Sequence, residues 1–228
     1  MSMTLVAAYE AGRIGTRNRK MPGTSYALPT WECGIGKKLS DVEGSVCFDC
    51  YAKDSERMYP SVRQGRSSNF ARGTAMVESD PERFARFMAF QVEHFANKFR
   101  EPYHRWFDAG DIPSVAYLRA IVRVCELTPG IKHWLPTREA GIVKAWRAAG
   151  GVEPANLVIR ISSTMIGDGP RTAANTSTVH RDGESFEGHC CPSHEAANRA
   201  YSEDNSPNCG PCRTCWDSTV ANVSYPLH

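Results

Sequence analysis

Four cysteines toward the carboxyl end of the chain have the spacing of metal ligands. Cys191 is followed at a distance by Cys209, Cys212 and Cys215, which form a Cys-x-x-Cys-x-x-Cys run. Two residues between thiolates let successive sulfurs turn toward one centre, and three such sulfurs with a distant fourth are typical ligands of a 4Fe-4S cluster. Structural zinc sites usually pair two separate Cys-x-x-Cys units. The pattern predicts an iron–sulfur cluster with zinc as the alternative metal, and Cys191 is preferred as ligand over Cys190, whose side chain must diverge from it.

A second set, Cys33, Cys47 and Cys50, offers three thiolates with no obvious fourth ligand nearby in the sequence. A 4Fe-4S cluster held by three thiolates keeps one iron open, and radical S-adenosylmethionine (SAM) enzymes chelate their cofactor at such an iron. The long gap between Cys33 and Cys47 departs from the compact motif of the main radical SAM class. Two alternatives stay open: a closed site completed by Cys190, a histidine or a carboxylate, or one metal region that contains all seven cysteines.

Composition limits the class of protein. The chain has 228 residues, nine cysteines, 41% hydrophobic residues and a formal net charge of +2. This length suits a single domain over 1–228. Cysteines with metal-like spacing indicate a reducing compartment rather than a disulfide framework. Without a long apolar run or a secretory signal, we expect a cytoplasmic protein with no membrane partner. Cys125 lies in an apolar helical stripe and is expected to be a core residue.

The segment 80–170 alternates between strand and helix patterns. A helix is predicted from about 81 to 99, because Ser79 or Asp80 can cap it and Pro81 suits its first turn. Three strand-then-loop patterns follow, in HRWFD, IKHWLP and NLVIRISS, and helical patterns follow the first two. Such alternation predicts an α/β fold with a parallel sheet and covering helices. Since a full eight-unit barrel needs about 250 residues, we expect a partial or compact (β/α) barrel-like sheet.

The flanking segments lack this regularity. Pro and Gly punctuate the chain up to about Thr30, which predicts a loop there. Residues 24–52 are interpreted as an N-terminal cysteine loop, and 172–228 as a polar, cysteine-rich metal-binding segment. Both are expected to be irregular and to surround metal, because a segment so poor in apolar residues orders best around an ion.

Three charged side chains follow predicted strands, at the edge where α/β sheets bind ligands. Asp108 and Asp111 lie in DAGD, and Arg138 lies in PTRE. We interpret all three as candidate catalytic residues that face a substrate. Asp111 is equally well placed to cap the helix that begins near Pro113, and Thr137 can cap the next helix.

The mild net charge leaves the partner open. Arg63, Arg66 and Arg72 alternate with Tyr59 and Phe70, and such a mixture can track a nucleic-acid backbone and stack bases. An ordinary solvated helix face is the simpler interpretation of these residues.

Three stretches together carry a resemblance to a known family. They are WECGIGKKLSDVEGSVCFDCYA, RWFDAGD followed by YLRAIVRVCELTPGIKHWLPTRE, and CGPCRTCWDSTVANVSYPLH. In this order, over roughly residues 24–228, they resemble the bacteriophage "gene product 88" family. The resemblance implies a phage-encoded, cysteine-rich protein of the infected host's cytoplasm, with the barrel-like arrangement of radical SAM enzymes. Family members commonly have a histidine where Phe107 stands here, so no role of that histidine transfers. The chain retains the neighbouring motif positions as Arg105, Asp108, Gly110 and Asp111.

Three functions are compatible with these patterns. The first is an iron–sulfur enzyme of radical SAM type acting on a nucleotide or nucleic acid, in which Cys33, Cys47 and Cys50 bind SAM through a 4Fe-4S cluster and a C-terminal cluster is auxiliary. The second is a metal-stabilised binding or redox-sensing module without catalysis, which a fully closed metal site would favour. The third is a guanine transglycosylase-like enzyme that exchanges bases in DNA or tRNA, although Lys132 occupies the position of the expected aspartate. The sequence leaves the oligomeric state and the choice between one and two clusters open.

Overall fold

A parallel β-sheet is the framework of the fold. In the computed structural model, which describes residues 3–16 and 20–227, its strands are β1 (Thr24–Tyr26), β2 (Tyr103–Trp106), β3 (Lys132–Thr137), β4 (Leu157–Ser162), β5 (Thr176–His180), β6 (His189–Cys190) and β7 (Asn222–Pro226). The seven strands lie in the order β1-β2-β3-β4-β5-β7-β6, and each neighbouring pair is parallel. The sheet is open, because β1 and β6 lie at opposite ends of this order. The predicted α/β class with a parallel sheet is confirmed, whereas barrel-like curvature stays a prediction.

A layer of helices covers one face of this sheet. The helices of the described chain are α1 (Leu5–Ala8), α2 (Gly34–Leu39), α3 (Tyr51–Met58), α4 (Pro60–Ser79), α5 (Pro81–Phe99), α6 (Val115–Leu127), α7 (Ala140–Ala148) and α8 (Ala196–Arg199), and the layer includes α5, α6 and α7. The prediction for α5 is confirmed, since it begins at Pro81 and the Asp80 carboxylate accepts a hydrogen bond from the Arg83 N–H at 2.9 Å. Helices α5, α6 and α7 share an apolar core with the strands, and this core includes the buried Cys125. Within the described chain, no helix is both long and apolar enough to cross a membrane.

The C-terminal segment covers the opposite face. Trp134 of β3 packs there with Cys215, Trp216 and Val223 in a second apolar cluster. The ring centroids of Trp134 and Trp216 lie 5.3 Å apart in an edge-to-face arrangement, which is a favourable geometry for aromatic pairs. The sheet is therefore sandwiched between the helical layer and the cysteine-rich segment.

Two predictions about irregular segments are wrong. Residues Thr24–Tyr26, predicted as loop, form β1 and pair with β2, because a three-residue strand is too short to show alternation between Gly23 and Pro29. The segment 172–228, predicted to be irregular, provides β5, β6 and β7. Its buried strand positions are polar, so they show no hydrophobic period: Asn222, for example, bonds to Thr176 and Thr178 at 2.9 and 3.0 Å.

Two histidines are buried in the core of the sheet. His104 Nδ1 bonds to Thr24 Oγ1 at 2.7 Å, and His133 Nε2 bonds to Thr128 Oγ1 at 2.8 Å. The other nitrogen of each ring is buried and, among the described residues, has no hydrogen-bond partner. Burial lowers the pKa of His133 to about 3 and also lowers that of His104 well below its usual value. Both rings are therefore neutral in the folded protein at ordinary pH.

We expect these histidines to make the fold sensitive to acid. Below pH 6.5 the unfolded chain protonates His133 while the folded chain does not until about pH 3, so the free energy of unfolding falls as pH falls through this window, by about 1.4 kcal/mol per pH unit for each such group. The variant His133→Gln should reduce this slope by about that amount in urea unfolding between pH 4 and 6. His94→Gln, on the exposed side of α5, is the control, and an unchanged slope for His133→Gln would contradict the assignment.

Candidate functional site

The N-terminal cysteine loop lies over the carboxyl edge of the sheet. Three hydrogen bonds fasten it to the loops that follow β2, β3 and β4: Tyr51 Oη donates to Asp108 O at 2.5 Å, Ile35 N to Glu139 Oε1 at 2.6 Å, and Val46 N to Thr164 O at 3.0 Å. The carboxyl ends of parallel strands meet at this edge, which is where open α/β sheets bind ligands. The loop is thus held at the position that the fold offers for a ligand.

The three N-terminal cysteines are neighbours in space. A methyl group built on Gly36 would lie 3.5 Å from the Cys47 sulfur and 3.6 Å from the Cys33 sulfur. Burial raises the pKa of Cys33 well above its usual value, and the nearby Cys50 and Cys47 raise it further. Ionising one thiol therefore opposes ionising the next, and a bound cation would relieve this repulsion.

A buried ion pair fixes the chain just before Cys33. Glu56 of α3 and Arg66 of α4 form it at 3.0 Å, with side chains only 5% and 12% exposed. Glu56 also accepts hydrogen bonds from both the N–H and the hydroxyl of Thr30. The interpretation of Arg66 as part of a solvated or nucleic-acid-tracking face is therefore wrong, because this guanidinium points inward. Arg72 donates to the Tyr9 carbonyl at 2.9 Å.

The two aspartates of the DAGD loop have different environments. Asp111 accepts three hydrogen bonds, from the Thr137 hydroxyl at 2.5 Å and from the N–H groups of Arg138 and Ile112 at 2.8 Å. Burial raises its pKa to about 6 despite these bonds. Asp111 therefore braces the loop after β2 against the loop after β3. Its predicted capping role is wrong, because Ser114 caps α6.

Thr137 does not cap the following helix either. Glu139 is the residue before α7, and no side chain caps that helix. Thr137 instead accepts a hydrogen bond from the Glu139 N–H at 3.0 Å while its own hydroxyl donates to Asp111. The third candidate catalytic residue, Arg138, donates from Nε to the Ser163 carbonyl at 3.2 Å.

Asp108 keeps one free oxygen beside a poorly paired arginine. Its Oδ2 accepts from the Ser25 hydroxyl at 3.0 Å, while its Oδ1 is buried and has no partner among the described residues. The guanidinium of Arg105 lies 4.6 Å from the centroid of the Trp134 ring. Arg105 Nε and Trp134 Nε1 are also buried without described partners. Unpaired buried donors and acceptors are costly, so a cluster of them marks a place where a polar ligand would be stabilised.

The C-terminal cysteines form a second group. Burial raises the pKa of Cys209 to about 11, and the neighbouring Cys191 and Cys212 contribute to this rise. Burial likewise raises the pKa of Cys215 to about 12, with Cys191 and Cys209 as its cysteine neighbours. Cys215 Sγ lies 3.1 Å from the hydroxyl of Tyr225. The structure therefore brings together Cys191, Cys209, Cys212 and Cys215.

Cys190 faces away from this group. Its sulfur lies 3.9 Å from Nε2 of His180, whereas the sulfur of Cys191 lies 3.4 Å from the Ser193 hydroxyl. Adjacent residues on an extended chain point in opposite directions, which accounts for this division. Nε2 of His189 lies 3.8 Å from the Cys212 sulfur.

Arg160 of β4 holds the turn that contains Cys215, a role that the sequence did not predict. Its side chain is fully buried, and its guanidinium donates five hydrogen bonds to backbone carbonyls: those of Cys215 (3.1 Å), Thr176 (3.4 Å), Val220 (2.9 Å), Thr214 (3.0 Å) and Asp217 (2.7 Å). Four of these five residues belong to the turn 214–220 that contains Cys215. The only signal was a single arginine within the apolar run NLVIRISS.

The side chains of the described residues are not yet arranged as metal ligands. No group of three or more Cys, His, Asp or Glu side chains within residues 3–16 and 20–227 is placed to hold an ion. Metal binding at either group would therefore require rotation of cysteine side chains.

Comparison with known proteins identifies one family. A family model described as "Gene product 88" matches residues 10–218. No curated protein and no solved structure matches the chain.

We expect the variant Arg160→Lys to unfold more easily, by about 3 kcal/mol, because an ammonium cannot reach five carbonyls and leaves several buried without a partner. Urea unfolding measures this loss, and limited proteolysis should show faster cleavage within 205–220. The control is Arg147→Lys on α7, where Arg147 forms a partly exposed ion pair with Glu153. This variant should change the free energy of unfolding by about 0.5 kcal/mol or less. Equal stability of the two variants would show that Arg160 does not hold the C-terminal turn.

Proposed function

This chain belongs to the gene product 88 family, and we propose that it is an iron–sulfur enzyme of radical SAM type that acts on a nucleotide or nucleic acid. One observation carries the proposal. Cys33, Cys47 and Cys50 follow the first strand of a parallel sheet and lie together at its carboxyl edge, next to Asp111 and Arg138. Three thiols at a ligand-binding edge are the donor set that a cluster with one open iron requires.

The surroundings favour an open rather than a closed N-terminal site. The nearby carboxylate of Asp111 already accepts three hydrogen bonds, and Glu139 accepts one from the Ile35 N–H. Cys190, the thiol considered as a fourth ligand, lies beside His180. Recruiting Asp111 or Glu139 as a ligand would break hydrogen bonds that hold the loops of this edge together. When bound, a cluster with an open iron supplies one-electron reduction of the SAM sulfonium.

The residues of the chain have separate tasks in this proposal. Arg138 offsets the negative charge of the thiolates, since its guanidinium lowers the pKa of Cys33 and Cys47, against burial that raises both. Asp108 and Arg105 bind the polar parts of the ligand, because Asp108 Oδ1 and Arg105 Nε are buried and unpaired within the described chain. A guanidinium suits a phosphate or carboxylate, and a carboxylate suits a ribose hydroxyl. A nucleotide carries both groups.

The C-terminal cysteines fit a closed auxiliary cluster. Four thiolates around a 4Fe-4S cluster or a zinc ion carry a net negative charge, which needs compensation in a buried site. Arg105 and Arg160 are partly or fully buried there, and neither forms an ion pair with a carboxylate of the described residues. This charge balance supports a thiolate-bound metal and does not distinguish iron from zinc.

A metal-stabilised binding or redox-sensing module is the second candidate. The observation that favours it is the completeness of the C-terminal set, since four thiolates leave no position for chemistry. No such observation favours the transglycosylase alternative. Lys132, which stands where the aspartate nucleophile is expected, is exposed at the amino end of β3, at the edge opposite the N-terminal cysteines.

Metal content separates these candidates. We expect anaerobically purified protein to contain about eight irons with equal sulfide, and the variants Cys33→Ser and Cys212→Ala to contain about four each. Cys125→Ala, in the helical core, is the control and should retain all the iron while losing only packing stability. A colourless protein with one zinc and no iron would exclude the radical SAM proposal and support the structural module.

SAM binding tests the open iron directly. In the reduced protein, added SAM should change the electron paramagnetic resonance spectrum, and equilibrium dialysis should give about one SAM per chain. Cys50→Ser should abolish both signals, because it removes an N-terminal ligand, whereas Cys190→Ser should keep them. Iron-loaded wild-type protein that binds no SAM would refute the radical SAM assignment even if both clusters are present.

A further inference from the structure

A cavity lies on the outer side of the N-terminal cysteine loop. Its volume is about 450 Å³, and α2, α3 and α4 each contribute to its wall. The charged and aromatic residues that line it are Trp31, Lys37, Lys53, Glu56, Arg57 and Arg63. In the function proposed above, the ligand lies between the cysteines and Asp108, none of which lines this cavity.

The cavity is strongly cationic. Four of its side chains, Lys37, Lys53, Arg57 and Arg63, carry positive charge. The one carboxylate in its wall, Glu56, is buried and neutralised by Arg66, which approaches it at 3.0 Å. Arg57 has an exposed ion pair with Asp54 at 3.1 Å. The other three cations have no ion pair with any described residue.

An exposed aromatic ring lines the cavity. The side chain of Trp31 is 36% exposed, and the guanidinium carbon of Arg63 lies 5.3 Å from its ring centroid. A second exposed ring, that of Tyr59, precedes α4, the helix that contributes Arg63. Solvent-exposed rings beside free cations are what single-stranded nucleic-acid surfaces combine, because cations meet the phosphates and rings stack on the bases.

We propose that this cavity binds the phosphodiester backbone of a single-stranded nucleic acid. Several cations spread over α2, α3 and α4 suit successive phosphates better than one isolated anion, and the ring of Trp31 offers a surface on which a base can stack. The proposal deepens the proposed function in one respect, since it identifies how a polynucleotide would be held next to the cysteines. Lys53 connects the two places: it lines the cavity, and its backbone N–H donates a hydrogen bond to the Cys50 carbonyl at 2.9 Å.

Fluorescence anisotropy of a labelled single-stranded 12-mer tests the proposal in the full-length protein. Wild type should bind with a salt-dependent affinity, and Lys37→Glu and Arg63→Glu should each weaken binding about tenfold or more and lower the salt slope by about one. Trp31→Ala should also weaken binding about tenfold, through lost stacking. Lys144→Glu, exposed on α7, makes the same charge change elsewhere and should bind as wild type.

Three results would overturn this inference: no binding by wild type, equal weakening in Lys144→Glu, or a mononucleotide that binds as tightly as the 12-mer. Circular dichroism melting verifies that each variant is folded. Iron content, measured on the same samples, separates the two proposals. Oligonucleotide binding in a protein without iron would remove the enzyme proposal and keep the cavity, whereas full iron with cavity variants that bind normally would remove only the cavity.

Discussion

The cysteine-rich segment 172–228 depends on the hydrogen bonds of one buried side chain, the guanidinium of Arg160. A cation inside a sheet is costly unless every donor is paired, and here five backbone carbonyls accept its hydrogen bonds. Four of them belong to the turn that contains Cys215. One strand residue therefore fixes this turn, in addition to the apolar contacts of Cys215 and Trp216, and it places a positive charge next to the C-terminal cysteines.

Buried polar side chains also hold the loops at the carboxyl edge of the sheet. Loops after parallel strands converge there, but convergence alone does not keep them rigid. Asp111 joins two of these loops through three hydrogen bonds, and the Glu56–Arg66 pair holds the chain that precedes Cys33. These carboxylates already hold the loops together, whereas Asp108 keeps a buried oxygen that has no partner among the described residues. In the proposed enzyme, Asp108 is therefore the carboxylate that binds the ligand.

The sequence predicts the alternating strands and helices of segment 80–170 well, and it predicts the polar strands of the C-terminal segment poorly. Helix α5 is predictable because Asp80 and Pro81 mark its start and its apolar residues recur with a helical period. The strands that follow it are predictable from their apolar and β-branched residues. The strands β5 and β7 were not predictable in this way, because their buried positions, such as Thr176 and Asn222, are satisfied by hydrogen bonds and not by apolar contact. Spacing likewise predicted two sets of cysteines as metal ligands, and these two sets stay predictions. It could not reveal Arg160, whose role depends on carbonyls far away in the sequence.

Arg105 lies between the two cysteine groups. Through this residue, the C-terminal group can have a structural effect on the N-terminal site without taking part in the reaction. Burial alone would lower the pKa of this guanidinium, but Tyr51 and Asp108 at the N-terminal site raise it. Tyr225 and Cys215 of the C-terminal group act in the same direction. In the proposed enzyme, the negative charge of metal-bound C-terminal thiolates would attract the Arg105 guanidinium and help to hold it in place beside Asp108. The auxiliary site would then shape the ligand site through one shared cation, without receiving an electron or touching the ligand.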